Sequence, residues 1–334
     1  MPALHSMCIF RSITLALLAS AMPSSVRCAY NSNAVSGESS PKTVSFPCGT
    51  DSIAGHLYLP DNYDSTQRYP AVVVGGSFTS VKEMMGGTYA GEMARQGIIA
   101  LSIDYRNYGQ SDGAIRQYED PASKAADLSA AVEYLVGRPD VAGTGLLGVC
   151  TSGGTVLYPA ATDPRVKAVA TVVGFFQSPA ITRILHGGEE GIMHRQTAGQ
   201  QAQQVYNNTG EIHMIRAYGG PPNATVNPGP QVYYDDPLRG GGVSQWRNEF
   251  AVASWGPWLE FDPVSQAAHV TAPTLMIHSE DAAFPDQARA VYNNLGPKKQ
   301  IIWTNGTHYD FYDSPETVRF SADKVSEHFH AILT

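Results

Sequence analysis

A short apolar run that ends abruptly at a turn of small residues constrains this chain more than any other feature. Residues 146–149 are apolar, and Cys150 follows them within the sequence Gly-Val-Cys-Thr-Ser-Gly-Gly of residues 148–154. A strand, a tight turn and a helix in that order hold a nucleophile at the apex of a sharp bend. Because the apolar run ends at Val149, we expect the bend at the next residue, with the Cys150 thiol at its apex.

Two other interpretations of the same stretch stay open at this point. If the bend lies two residues further on, within residues 150–154, Ser152 becomes the nucleophile. Alternatively, Cys150 is only a small buried apolar residue, as free cysteines often are. The interpretation of this motif as catalytic therefore depends on whether an acid and a histidine follow it in the right order along the chain.

Apolar runs and helical patterns alternate on both sides of this bend. The β-branched runs are typical of strands that are covered on both faces of a parallel sheet, and they lie at residues 70–76, 98–103, 166–173, 272–278 and 300–304. Helices are predicted between them at residues 89–96, 122–136 and 286–295, with a last one at 317–332. Two further strands, at 43–46 and 53–59, are expected to pair with each other. The pattern predicts an α/β fold with a doubly wound, mostly parallel sheet.

The alternation breaks at about residues 178–262, which are rich in Gly, Gln, Asn and aromatic residues. This segment is too long to be a plain loop in a compact domain. We interpret it as a cap inserted over an active site. The predicted organisation is a signal peptide at 1–21, a linker at 22–42 and one domain at 43–334.

The N-terminus has the pattern of a secretory signal. Arg11 precedes an apolar run at residues 13–21, which ends in Ala-Ser-Ala, a small-x-small cleavage pattern. The run is too short to span a bilayer, so we predict a secreted or periplasmic protein with no membrane span after cleavage. In an oxidising compartment Cys28 and Cys48 are expected to pair, which leaves Cys150 as the single free thiol.

Charge and motifs exclude several classes of function. The net charge is −8, and no Lys/Arg-rich block is present, which argues against nucleic acid or an anionic membrane as a partner. No set of residues has the spacing of a metal site, and no glycine-rich phosphate or dinucleotide loop follows a strand. We therefore expect no cofactor and a small-molecule acyl substrate; the oligomeric state is not determined by the sequence.

The order nucleophile, acid, histidine is required in α/β hydrolases, and this chain supplies it. His308 follows the last predicted strand, and Gly306 allows a tight turn that aims its ring inward. Catalytic loops gather at the C-terminal ends of strands in open α/β sheets. The acid is expected after the strand that ends near residue 278. We select Asp281 for that role, with Glu280 as the second choice.

Each of these groups has a chemical task. A thiol is only a few per cent ionised at neutral pH, and a neighbouring imidazole activates it. The carboxylate fixes the tautomer of the histidine and stabilises its protonated form. The developing oxyanion needs two backbone N–H donors. We expect one from Thr151 and the other from the loop after the first buried strand, at Phe78 or Ser77.

With these pieces assembled, the chain resembles the α/β-hydrolase superfamily. Within it, the chain is similar to the dienelactone-hydrolase-like group, which includes bacterial YcjY-type proteins and fungal polyketide-transferase-like hydrolases. The resembling residues are 81–83, 104–113, 119–121, 148–154 and 306–313. The resemblance implies a Cys or Ser nucleophile at Cys150, with Asp281 as acid and His308 as base. It implies hydrolysis of an ester, lactone or thioester; the alternatives are an acyltransferase or a non-catalytic ligand-binding protein of the same fold.

Overall fold

The computed structural model describes residues 40–221 and 224–334. The predicted signal peptide, Cys28 and nearly all of the predicted linker lie outside the described residues. Cys48 has a free thiol, and its sulfur lies 2.8 Å from Nη2 of Arg106. Across the described ranges, every helix is too short or too polar to cross a lipid bilayer.

Eight strands form the central sheet, in the order β1-β2-β4-β3-β5-β6-β10-β11. The strands are β1 Lys42–Cys48, β2 Asp51–Tyr58, β3 Tyr69–Gly75, β4 Ile99–Ile103, β5 Val141–Val149, β6 Val166–Val172, β10 Thr274–His278 and β11 Lys299–Trp303. β2 pairs antiparallel with β1 and β4, and all other neighbours are parallel. The predicted α/β class and mostly parallel sheet are confirmed.

Helices cover both faces of the sheet. The helices are α1 Met85–Arg95, α2 Pro121–Val136, α3 Thr151–Thr155, α4 Leu157–Thr162, α5 Pro179–His186, α6 Gly188–Thr209, α7 Val232–Asp235, α8 Trp255–Leu259, α9 Pro263–Gln266, α10 Pro285–Asn294, α11 Asp310–Asp313 and α12 Pro315–Leu333. Short 3₁₀ turns lie at Gly240–Gly242, Val252–Ser254 and Ala267–His269. α1 and α12 pack together on one face, and α2, α4 and α10 cover the other. The central strands are fully buried between them, which is why their sequences are continuous apolar runs.

α1 begins four residues before the predicted helix at 89–96. Two glycines explain the difference, because side chains at these positions would collide with the sheet and the preceding loop. A Cβ on Gly86 would lie 2.8 Å from Oγ of Ser102, and one on Gly87 would lie 2.6 Å from the carbonyl oxygen of Lys82. Glycine here permits close packing, at a cost in helix propensity that tertiary contacts offset.

The segment between β6 and β10 contains α5 to α9 and a small second sheet. In that sheet β7 Met214–Tyr218 lies between β8 Thr225–Asn227 and β9 Phe250–Ala251. Most of the aromatic side chains of this segment belong to the same buried cluster as the residues of the central strands. The predicted cap at 178–262 falls within this segment.

The turn after β4 is built around a buried carboxylate, Asp104. It accepts hydrogen bonds from Nζ and the backbone N–H of Lys82 and from the backbone N–H of Gln110, each at 2.8 Å. Lys82 also contacts Glu83 at 2.7 Å. A buried charge is tolerated only when it is paired and hydrogen-bonded, as it is here. Residues 104–113 thus form a hydrogen-bonded turn next to the loop that carries the predicted oxyanion donor Phe78.

Candidate active site

Cys150 lies in the bend between β5 and α3. Its backbone has φ 55° and ψ −120°, a conformation that L-residues seldom adopt. Small neighbours make the bend possible. A side chain on Gly148 would overlap the backbone of Ser152, and one on Gly153 would lie 2.6 Å from Cα of Gly174. The bend therefore falls at the residue where the sequence predicts it, and the strained backbone aims the side chain away from the sheet.

The sulfur of Cys150 is almost completely buried, with 7% of the residue exposed. Burial raises the pKa of the thiol, and interactions with the side chains of Tyr312 and Thr151 and with the backbone of Thr151 and Phe78 oppose that rise. The hydroxyl of Thr151 lies 3.7 Å from the sulfur. The net direction of the thiol pKa is upward in this buried state. α3 is only five residues long, and desolvation outweighs its dipole.

The backbone amides of Thr151 and Phe78, the two predicted oxyanion donors, are among the groups that lower the pKa of the Cys150 thiol. Ser77, the alternative donor, has its amide directed at Sδ of Met85 at 3.5 Å. Phe78 is held between cap residues: its ring centroid lies 4.7 Å from that of Trp258 and 5.7 Å from that of Phe250. The cap therefore fixes the position of one predicted oxyanion donor.

Ser152, the alternative nucleophile, lies beneath the bend and is 1% exposed. Its hydroxyl donates to the carbonyl oxygen of Gly76 and lies 2.7 Å from the hydroxyl of Tyr105. Below it, Nζ of Lys124 sits 4.8 Å from the centre of the Tyr105 ring. Ser152 thus ties the bend to β3 and to the loop after β4.

His308 lies in the loop between β11 and α11, where Gly306 has φ 134°. Its Nε2 lies 3.1 Å from the hydroxyl of Tyr312, and its Nδ1 accepts a hydrogen bond from the backbone N–H of Ala283 at 3.3 Å. Since Nδ1 accepts, the proton of the neutral ring is on Nε2. Burial, and then the neighbouring ring of His278, lower the pKa of His308 to about 3.

The predicted acids lie in the loop between β10 and α10. The carboxylate of Asp281 is exposed, and its backbone N–H donates to Oγ of Ser279 at 3.1 Å. Glu280 is also exposed and forms an ion pair with Arg289. Both ring nitrogens of His308 have other partners, so neither carboxylate contacts the imidazole in this structure. Tyr312 contacts His308 and is among the groups that affect the pKa of the Cys150 thiol, and Asp281 is two residues from the amide that occupies Nδ1.

Four tyrosines surround the thiol, and sequence reasoning assigned none of them. They are Tyr218, Tyr234, Tyr309 and Tyr312, and the charge of a Cys150 thiolate contributes to raising the pKa of each phenol, after burial. The rings of Tyr218 and Tyr234 stack at 3.7 Å, and their hydroxyls contact Phe78 O at 3.1 Å and Ser77 Oγ at 2.5 Å. The only available sequence signal was the spacing of Tyr312, four residues after His308.

The described residues were compared with the arrangement that a bound metal ion needs. Among residues 40–221 and 224–334, no group of three or more His, Cys, Asp or Glu side chains is arranged to hold an ion. The site consists of a thiol, an imidazole, backbone amides and phenols.

Known proteins share this architecture. A family model described as X-Pro dipeptidyl-peptidase (S15 family) matches residues 49–310. An uncharacterised protein of Pseudomonas aeruginosa, PA2218, is 30% identical over 292 residues, which cover 83% of this chain and 76% of that protein. Its crystal structure superimposes with a TM-score of 0.77 at 24% identity, covering 93% of this chain and 99% of that one.

Two further relatives extend the comparison. The uncharacterised protein YcjY of Escherichia coli is 35% identical over 125 residues, which cover 37% of this chain and 41% of that protein. A protein of Aspergillus aculeatus named thiohydrolase aneE is 27% identical over 272 residues, covering 77% of this chain and 82% of that protein.

The predicted superfamily, the YcjY-type relationship and the hydrolase class are confirmed by these matches. The bend at Cys150, the histidine loop after β11 and the parallel sheet all fall within the matched residues. The chain therefore belongs to the X-Pro dipeptidyl-peptidase (S15) family of the α/β-hydrolase superfamily.

Proposed function

We propose that this protein hydrolyses a carboxylic ester, lactone or thioester through an acyl-enzyme on Cys150, with His308 as base and Asp281 as its acid partner. The observation that carries the proposal is the position of Cys150 at the apex of a strained bend between β5 and α3, with φ 55° and with the hydroxyl of Thr151 3.7 Å from the sulfur. The backbone amides of Thr151 and Phe78, which lower the pKa of the thiol, are the donors that would stabilise the charge developing on an acyl oxygen. The name of the relative aneE, a thiohydrolase, agrees with thioester chemistry.

The chemical steps follow from these groups. His308 first takes the proton of the Cys150 thiol. The thiolate then attacks the acyl carbon and forms a C–S bond, while the carbonyl oxygen gains negative charge and accepts hydrogen bonds from the two backbone amides. The bond to the leaving group breaks, and the leaving group takes a proton from His308. Water then attacks the acyl-enzyme, gives its proton to His308, and the C–S bond breaks to release the acid.

Cys150 is favoured over Ser152 because the two side chains have different surroundings. The serine hydroxyl is already engaged with Gly76 and Tyr105 below the bend, whereas the sulfur faces the amides and the histidine side of the site. Asp281 acts on His308 only after the amide of Ala283 has left Nδ1, which requires a local change in residues 279–284. Phe284, at the end of this loop, has φ 52°, an uncommon conformation for a bulky residue.

The test is mass detection of an acyl adduct. Purified protein is incubated with a panel of nitrophenyl esters, lactones and thioesters, together with an Xaa-Pro nitroanilide that represents the family name. We expect turnover of an acyl ester or thioester and an adduct mapped to Cys150, both lost in Cys150→Ala. Ser152→Ala is the matched control and keeps the adduct. Turnover of the nitroanilide alone, or an adduct on Ser152, contradicts the proposal.

Two competing functions have distinct signatures in the same experiment. An acyltransferase forms the adduct but releases it to an added alcohol or thiol far faster than to water. A non-catalytic binding protein of this fold binds an ester without forming an adduct or product.

We also propose export of the protein, based on the signal pattern at residues 1–21. Expression of the full chain in its source cell, followed by fractionation and N-terminal sequencing, tests this. Retention of an intact N-terminus in the cytoplasmic fraction contradicts it.

A further inference from the structure

The side chain of Arg239 joins the cap to the segment that follows His308. Its Nε and Nη2 each lie 2.6 Å from a carboxylate oxygen of Asp313, so the ion pair has two points of contact. Nη2 also donates to the carbonyl oxygen of Tyr309 at 3.3 Å. Asp313 is the last residue of helix α11, and Tyr309 directly precedes its first. One guanidinium therefore holds both ends of this helix.

The ion pair is partly shielded from water, with 26% of the Arg239 side chain and 24% of the Asp313 side chain exposed. Two parallel N–H···O bonds between a planar guanidinium and a carboxylate fix direction as well as distance. The net free energy of a partly exposed ion pair is small. We therefore expect this pair to orient α11 more than it stabilises the fold.

Aromatic contacts from the cap reach the same helix. The ring of Tyr233, in α7, packs edge-on against Tyr312 at 4.9 Å and lies nearly parallel to the ring of Tyr309 at 6.2 Å. The guanidinium of Arg239 lies 5.5 Å from the centre of the Tyr233 ring. The phenol of Tyr309 donates to Oε1 of Gln231. The part of the cap that begins with α7 is thus seated on α11 by ionic, polar and aromatic contacts.

His308 depends on the position of α11 for one of its two ring contacts. Its Nε2 lies 3.1 Å from the hydroxyl of Tyr312, which belongs to this helix. Its Nδ1 accepts from the backbone N–H of Ala283, in a different loop, at 3.3 Å. The carbonyl group that Arg239 binds belongs to Tyr309, the next residue along the chain. A shift of α11 therefore moves the imidazole relative to the rest of the site.

We infer that Arg239 is a positioning residue for His308, because it holds α11 against the cap and thereby fixes the imidazole that serves as base. The kinetic consequence rests on the proposed function. Arg239 acts through the helix and takes no part in making or breaking bonds. A misplacement of a reacting group by about 1 Å can cost about 10²-fold in rate. The cap is then part of the catalytic arrangement as well as a cover for it.

The first measurement is ester turnover by Arg239→Ala. We expect kcat to fall by about 10- to 100-fold and KM to change by less than about twofold, because the variant disturbs the base and not a substrate contact. Arg239→Lys keeps the charge beside Asp313 but loses the two-point geometry, so it retains more activity than the alanine variant. Arg183→Ala is the matched control, since Arg183 pairs with Glu189 on an exposed part of the cap. It leaves both kinetic constants unchanged.

The second measurement needs no substrate. With ¹⁵N-labelled histidine, long-range NMR correlations show which ring nitrogen of His308 carries the proton, and His308→Gln identifies its signals. In wild type and in Arg183→Ala we expect the proton on Nε2, since Nδ1 accepts from Ala283. In Arg239→Ala we expect shifted signals and a mixture of tautomers. Asp313→Asn should reproduce this change, and combining the two substitutions should add little, because both remove the same contact.

Unchanged His308 signals in Arg239→Ala overturn the inference, even if that variant turns over more slowly, because a looser cap alone also slows turnover. If Arg239→Ala does not fold, Arg239→Lys and Asp313→Asn provide the same comparison. The absence of an adduct from any ester in wild type contradicts the proposed function instead, and the NMR comparison still decides whether Arg239 positions His308.

Discussion

The backbone amide of Ala283 lies 3.3 Å from Nδ1 of His308, at the position where a hydrolase triad has its acid. Asp281 is two residues away in the same loop, with its carboxylate exposed. An amide at Nδ1 holds the imidazole in the tautomer that donates from Nε2. A carboxylate there favours the opposite tautomer, in which Nε2 can accept a proton.

Replacing Asp281 by Asn tests whether this loop changes during turnover. We expect kcat/KM for an ester to fall by about 10²- to 10⁴-fold, because the imidazolium loses its stabilising charge and its orientation. Glu280→Gln is the control: its carboxylate forms only an exposed ion pair with Arg289, so turnover changes by less than about twofold. An equally small effect in both variants means that the amide of Ala283 is the permanent partner of Nδ1.

Ser152→Ala is predicted to affect stability more than chemistry. The variant loses a buried hydroxyl that bonds to Gly76 O and to Tyr105; Gly76 O keeps the backbone N–H of residue 152, whereas the hydroxyl of Tyr105 loses this partner. We expect a loss of about 1–3 kcal/mol in the free energy of unfolding, measured in urea. Ester turnover at saturating substrate stays within a few-fold of wild type, and an activity loss as large as that of Cys150→Ala contradicts the assignment.

Gly148→Ala is predicted to prevent the bend at Cys150 from forming. A Cβ at position 148 overlaps the backbone of Ser152, which has no flexible end that can move away. Soluble yield and adduct formation should both be lost. Gly91→Ala is the control, because a Cβ there meets nothing nearer than 3.9 Å and Gly91 lies within helix α1. It is neutral or stabilises by about 0.5–1 kcal/mol; a well-folded, active Gly148→Ala protein contradicts the prediction.

We predict that burial of His186 lowers the free energy of unfolding in mild acid. The residue is buried against Trp255 with its Nε2 unpaired, and burial, with Arg195 nearby, lowers its pKa to about 4. The unfolded chain binds the proton near pH 6.5, so the folded state loses relative stability as the pH falls from about 6.5 to 4, by up to about 3 kcal/mol.

The measurement is chemical denaturation at pH 7, 5.5 and 4. His186→Leu should flatten this part of the pH profile, while His194→Gln, at an exposed position on α6, should leave its slope unchanged. A profile with the same slope in all three proteins contradicts the prediction.

Local sequence was sufficient for the sheet and for the bend. Runs such as residues 70–76 are apolar on both faces because helices cover both faces, so pattern and environment correspond directly. The start of α1 was missed because Gly86 and Gly87 weaken a local helix pattern, while the contacts that require glycine come from Ser102 and Lys82.

For the candidate site too, some residues could be found from the sequence and others could not. Cys150 and His308 were selected because each follows a strand end, and the structure places both in turns at the C-terminal ends of strands. The contact between Tyr312 and His308 was missed, although the two residues are in helical register, because the spacing does not show that the amide of Ala283 occupies Nδ1 and leaves Nε2 for the phenol.

The sequence by itself determined the buried strands and the position of the bend at Cys150, since these depend on apolar periodicity and on where a turn is sterically possible. Only the tertiary structure decided which groups contact Nδ1 and Nε2 of His308 and how far the thiol is desolvated. Those outcomes depend on hydrogen-bond geometry and burial between distant segments, and a difference of two residues in one loop exchanges a carboxylate for an amide.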